Sequence, residues 1–152
     1  MAHLLRPSNR ADRALPTVGR VLLGGLLGFA GVSHLTVARE EFQAQVPDWF
    51  PVDQDLVVVA SGVVEVALGG ALALAPRKLR PTIGWLAAAF FVAIFPGNIA
   101  QYTERTDAFG LDTDQARFAR LFFQPVLVAW ALWSTGAWRA WRDSRAAVGA
   151  ED

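Results

Sequence analysis

The sequence predicts an all-α fold: a four-helix transmembrane bundle, N-in/C-in, with a short interfacial segment between helices 1 and 2. Three observations predict it. Four apolar runs, about 17–38, 55–75, 81–102 and 118–138, each have roughly the 20 residues a helix needs to cross a hydrocarbon core of about 30 Å. Stretches such as 21–31, 56–64, 66–75 and 83–96 carry no charge on any face, whereas a helix of a water-soluble bundle keeps one polar face. Lys and Arg alternate from loop to loop as an even number of crossings requires.

The basic residues set the orientation. Arg6, Arg10, Arg13 and Arg20 precede or open the first run, Arg77, Lys78 and Arg80 sit between the second and third, and Arg139, Arg142 and Arg145 follow the fourth. The other side holds Arg39, Arg105, Arg117 and Arg120 among Glu40, Glu41, Asp48, Asp53, Asp55, Glu104, Asp107, Asp112 and Asp114. The basic side is the cytoplasmic one.

Taken in order, residues 1–16 form a basic tail containing Pro7 and Pro16, expected to be disordered or to lie along the interface. The first run is too long for a signal-peptide core and no convincing cleavage site follows it. Between the first and second runs, Phe42 and the sequence Val46-Pro47-Asp48-Trp49-Phe50-Pro51 form an amphipathic stretch for the outer membrane face. The short connection 76–80 makes the second and third helices expected neighbours. In the third run Pro96-Gly97-Asn98 should kink the helix or unwind it at depth. Trp85, Trp138 and Trp141 are interfacial anchors, and residues 139–152 are a second cytoplasmic tail. Period-2 alternation is missing, which disfavours a membrane barrel.

Composition narrows the chemistry. With 152 residues the chain makes one domain. Charges cancel (14 basic, 14 acidic), so no net field recruits nucleic acid. There is no Cys, which excludes thiolate and iron–sulfur ligation by this chain. Phosphate loops, zinc spacings and Ser-His-Asp sets are missing, and no metal is expected. The preference for Arg over Lys and the abundance of Ala fit a GC-rich bacterial genome, and hence a bacterial cytoplasmic membrane.

The polar residues inside the apolar runs are the candidate site. Glu65 falls near the middle of the second run, where a charge costs at least about 2.5 kcal/mol, so it must face the interior, protonated or paired. Ser61, Gly62 and Gly69 share its face. His34 lies about one turn from the outer end of the first run; Asn98, Gln124 and Arg120 lie in the outer parts of the third and fourth. Spans running alternately outward and inward bring His34, Ser61, Asn98 and Gln124 to one level, with Glu65 a turn deeper and Arg120 a turn shallower. The expected result is a polar pocket opening to the outer leaflet, with Phe91, Phe95 and Tyr102 as further lining. Each residue also has a plain structural use: a carboxyl bonded to a neighbouring helix, an interfacial His, a kink, a snorkelling Arg. Arg117 is expected at the surface. Gly24, Gly28, Gly31, Gly62 and Gly69 are expected helix-packing positions.

Five segments resemble the DoxX-like family of small bacterial membrane proteins: Gly31-Val32-Ser33-His34-Leu35, Val46-Pro47-Asp48-Trp49-Phe50-Pro51, Ser61-Gly62-Val63-Val64-Glu65, Phe95-Pro96-Gly97-Asn98-Ile99 and Arg120-Leu121-Phe122-Phe123-Gln124-Pro125. They occur in family order across roughly 18–138. The fourth helix departs from the family pattern, because Pro125 follows Gln124 instead of preceding it. The resemblance implies a four-helix membrane bundle and little about activity; because relatives are linked to membrane redox complexes, the leading expectation is an accessory subunit of such an assembly, with independent catalysis the less expected outcome. A quinone is the cofactor and redox proteins the partners that such a role implies. Binding or isomerising an apolar small molecule, and a purely structural assembly role, are the alternatives.

Overall fold

A computed structural model describes residues 10–149, with side chains described from residue 14. The described residues form six helices and no strand: α1 (Arg10–Leu35), α2 (Arg39–Gln43), α3 (Gln54–Leu74), α4 (Arg80–Thr103), α5 (Asp114–Thr135) and α6 (Ala137–Val148). Three of them are long and apolar enough to cross a membrane: Ala14–Leu35 within α1, α3 and α4. α5 is as long, but Arg117, Arg120, Gln124 and Pro125 in its first half lower its mean hydropathy.

The distribution of polarity is inverted relative to a protein in water. Arg20, His34, Glu65, Asn98, Gln101, Arg117 and Gln124 are buried, while Leu22, Leu26, Phe29, Val63, Val92, Phe122 and Val126 are each more than half exposed. An apolar surface of that extent is matched by lipid and not by water.

Helices pack in two pairs. α3 lies chiefly on α1, and α5 on α4, while α3 and α4 touch only slightly despite their short connection. The reason is where the small residues sit. Gly24 and Gly31 of α1 face Gly69 and Gly62 of α3 so closely that an added Cβ at Gly69 would lie 2.6 Å from the Gly24 carbonyl oxygen, and one at Gly31 2.6 Å from that of Gly62. Gly28 differs: a Cβ there would meet nothing within 4 Å, and it takes part through its backbone, which receives Gly69. On the other pair Gly84 fits against Thr135. A core of Leu23, Leu27, Leu72, Ala87, Phe91 and Ala131 joins the pairs.

Arg20 has a second use beyond marking the basic side. It is 3 % exposed and its guanidinium donates to the carbonyls of Leu72 and Ala73. Those are among the last carbonyls of α3, which have no partner within their own helix, and a cation at a helix C-terminus is favoured by the dipole.

Both tails depart from expectation where they are described. α1 starts at Arg10 and runs through Pro16. The proline lies near the helix start, where a missing N–H leaves only the Asp12 carbonyl to be satisfied from outside. Residues 1–9 of the expected basic tail lie outside the described residues. At the other end α5 stops at Thr135, not at 138, because Gly136 adopts φ 75° and reverses the backbone. Residues 137–148 then form α6, which is amphipathic: Trp138 and Trp141 stack at 4.9 Å and Arg145 lies over Trp141. α4 stays helical through Pro96, and α5 through Pro125, so the backbone does not unwind at either.

Candidate functional site

The cover of the site is built first from α2. Arg39 Nε and Nη2 bind both oxygens of Asp55, at 2.6 and 2.5 Å, and Gln43 Nε2 donates to the same carboxylate at 2.6 Å. This clasp fixes α2 on the start of α3. Hydrogen bonding to Asp55 raises the pKa of Arg39 above its ordinary value, against the desolvation that opposes it. From there Gln45 donates to Gln101 Oε1 and accepts from Arg120 Nη2, both at 3.2 Å. Glu41 accepts from the Phe109 backbone N–H at 2.8 Å, so the segment after α1 and the loop before α5 are tied together.

That loop is stiffened by Arg117. Contrary to the expected surface position, Arg117 is 5 % exposed. It binds Asp114 at 2.9 Å, and also Asp107 and the Thr106 carbonyl. Phe109 is held at φ 56°, a left-handed conformation that costs a bulky residue on the order of 1 kcal/mol. The Glu41 bond and its ring contacts hold it there: Phe42 at 4.5 Å and the Arg120 guanidinium at 5.5 Å. Phe42 in turn stacks on His34, with ring centroids 3.3 Å apart.

Beneath this cover lies a cavity of about 950 Å³ between the two helix pairs. His34, Ser61, Glu65, Asn98, Arg120 and Gln124 all line it, so the six sequence-predicted pocket residues, from four helices, meet in one place. Of the expected aromatic lining, Phe91 is present. Phe95 faces a different cavity and Tyr102 packs on Phe118 at 5.6 Å. The reason is helical phase: Asn98 faces inward, and Phe95 and Tyr102, three before and four after it, both fall about 40–60° to one side of that direction, while Phe91, two turns back, lies within about 20° of it.

The polar groups form two sets. In the first, His34 Nδ1 lies 2.7 Å from Glu65 Oε2 and 2.9 Å from the Ala30 carbonyl oxygen. The nitrogen is aligned for hydrogen bonding with the carbonyl. Oε2 is fully buried and receives the close contact without an aligned donor. The small residues around it make this approach possible: a Cβ on Gly31 would lie 2.8 Å from the Glu65 Cβ, and one on Gly62 2.8 Å from the His34 Cβ. In the second set, Asn98 Nδ2 donates to Gln124 Oε1 at 3.1 Å, and Gln124 Nε2 donates to the Phe91 carbonyl at 2.7 Å. That carbonyl neighbours the one of Val92, which Pro96 leaves without a helical donor. Ser61 returns its hydroxyl to the Val58 carbonyl at 3.0 Å.

Arg120 stands apart. Among the described residues it has a single side-chain hydrogen bond, to Gln45, and no carboxylate partner. A guanidinium keeps its charge at any accessible pH and has five N–H donors, so it is the group in the cavity with most capacity to bind a further acceptor. Gln45 and Phe109 were not marked by the sequence. Gln45 has no signal there; Phe109, a lone aromatic before Gly110 in a polar loop, has a weak one.

Compared with known families, the chain matches the family described as "Domain of unknown function (DUF8561)" over residues 23–135. No curated protein and no solved structure matches.

Proposed function

The chain belongs to the DUF8561 family, and we propose that it is a four-span protein of the bacterial cytoplasmic membrane whose outer-half cavity binds a lipid-soluble molecule with a polar, oxygen-bearing head, a quinone foremost, as an accessory subunit of a membrane redox assembly. In this reading α5 is the fourth span and both termini are cytoplasmic, which agrees with the Lys and Arg placement. The observation that carries it is the meeting of polar groups from four helices in one largely apolar cavity of about 950 Å³, within the range of small-molecule sites. Kinship with DoxX-like proteins is part of the same proposal. All five resembling segments contribute to the cavity: His34, the 46–50 cover, Ser61 and Glu65, Asn98, and Arg120 with Gln124.

A quinone head has two opposed oxygens. Arg120 is placed to donate to one of them. His34 serves the other: with its Nδ1 turned to Ala30 and Glu65, Nε2 is the nitrogen left for a ligand. A hydroquinone hydroxyl can donate to Nε2, and the Glu65 carboxylate beside the ring stabilises the imidazolium formed if the proton is taken up. The isoprenoid tail then leaves between the helix pairs into lipid.

Tryptophan quenching by a short-chain benzoquinone tests this, since Trp49 lines the cavity. Saturable quenching is expected, with affinity about tenfold weaker in Arg120→Gln, the scale of one lost charged hydrogen bond, and little changed in Glu65→Gln, whose contact is with His34 and not with the oxidised head. Linear, unsaturable quenching equal in all three proteins would refute quinone binding. The His34–Glu65 pair beside apolar walls also favours a second reading, an isomerase-like enzyme or binding protein for another apolar molecule, and a co-purified isoprenoid that is not a quinone would select it. An empty cavity in protein that nevertheless recovers redox partners would leave the assembly role.

A further inference from the structure

A second cavity, of about 1120 Å³, opens sideways on the surface of the bundle. It shares only Gln124 with the first. Its walls are apolar, from Leu15 on α1, Val92 and Phe95 on α4, and Val128 and Leu132 on α5. Pro125, Ala129 and Trp133 on its rim are exposed, so the slot is open along its length. At one end the chain turns at Gly136, and there Trp138 and Arg139 of α6 close it.

The dimensions are those of one leaflet. From Pro125 to Thr135 α5 advances roughly 15 Å at 1.5 Å per residue, half of the roughly 30 Å hydrocarbon core. The polar end carries the charge. Arg139 is exposed and, among the described residues, forms no ion pair and no hydrogen bond through its side chain. Arg142 and Arg145 extend the basic character along α6, opposed only by Asp143 in that helix. Trp138 is about half exposed beside Arg139, the amphipathic ring expected at the level of headgroups. A transmembrane helix is a poor occupant. It would need a face along the full membrane thickness lined by small residues, and this slot is one leaflet deep and walled by Phe, Trp, Leu and Pro.

We infer that this slot is a binding site for an anionic phospholipid of the cytoplasmic leaflet, its acyl chain along α5 and its phosphate on Arg139. The inference rests on the membrane orientation proposed above and not on what fills the other cavity.

The test uses full-length protein in nanodiscs of mixed phosphatidylglycerol and phosphatidylcholine, released into the gas phase for native mass spectrometry of retained lipid. Wild-type protein should retain one phosphatidylglycerol in preference to phosphatidylcholine. Arg139→Gln should reduce that preference about fivefold, the scale of one basic residue at an anionic surface. Ala129→Trp, which fills the slot at an exposed position, should lose retained lipid of either kind. Arg145→Gln removes the same charge outside the slot and should keep the preference. Equal retention of both lipids by the wild type, no change in Arg139→Gln, or an equal loss in Arg145→Gln would overturn the site. Protein that stays soluble without detergent and never enters nanodiscs would instead overturn the membrane reading, and is seen before any lipid is counted.

Discussion

His34→Ala should destabilise the protein by about 3–5 kcal/mol, the usual cost of removing one partner from a buried pair. His34 and Glu65 are 7 % and 4 % exposed, and Nδ1 at 2.7 Å is the one ion-pair contact Glu65 makes among the described residues. The substitution leaves a buried carboxyl without the ring nitrogen beside it, and it also removes the ring that stacks on Phe42. Adding Glu65→Gln to His34→Ala should recover most of the loss, because a neutral amide costs far less to bury than an unpaired carboxylate. Thermal unfolding in detergent of the four proteins of this cycle gives the coupling. Losses that simply add would mean that the pair does not interact in the folded protein.

Gly69→Leu should be about as severe, for a different reason. The Cβ alone would lie 2.6 Å from the Gly24 carbonyl oxygen and 2.6 Å from the Gly28 nitrogen. Both are backbone atoms that cannot rotate away, so α1 and α3 must separate. Overpacking a close contact costs about 1–3 kcal/mol, and here separation also pulls His34 away from Glu65, which brings the total towards that of His34→Ala. Gly70→Ala is the matched control, since a Cβ there meets nothing within 4 Å. The same unfolding assay should show a large loss for Gly69→Leu and a change within about 0.5 kcal/mol for Gly70→Ala. Equal behaviour of the two would mean that α1 and α3 do not cross at these glycines.

These two substitutions act on features that the sequence shows plainly. A carboxylate in the middle of an apolar run has few places to go, and glycines at helical spacing on two runs mark a crossing. In the sequence, the depth of each polar residue follows from counting along spans expected to alternate in direction. That is why His34, Ser61, Glu65, Asn98, Arg120 and Gln124 could be grouped before the helices were seen together. Pairing of helices is not contained in such counting. The short connection 76–80 implied close contact of α3 with α4, but the glycine faces direct α3 onto α1, and the space left between the pairs is the cavity. Nor does composition reveal which loop residue folds over a site. Phe109 covers the cavity because Glu41, 68 residues earlier, holds its backbone, a long-range bond with no local signature. Arg20 and Arg117 show the same limit. In the sequence they are simply two charges on opposite sides of the expected spans, yet each is buried, one on the carbonyls of α3 and the other among the acids of its own loop.

The cavity is an intramembrane site only if α5 crosses the bilayer beside the three helices that are apolar enough to do so. Because the chain has no Cys, single cysteines introduced at Asp112 and at Ser144, both exposed and on either side of α5, report this without background. A membrane-impermeant maleimide applied to spheroplasts should label Asp112→Cys at once and Ser144→Cys only after the membrane is opened. Labelling of both positions from the same side would show that α5 does not span, and the enclosed pocket with its proposed ligand would be lost.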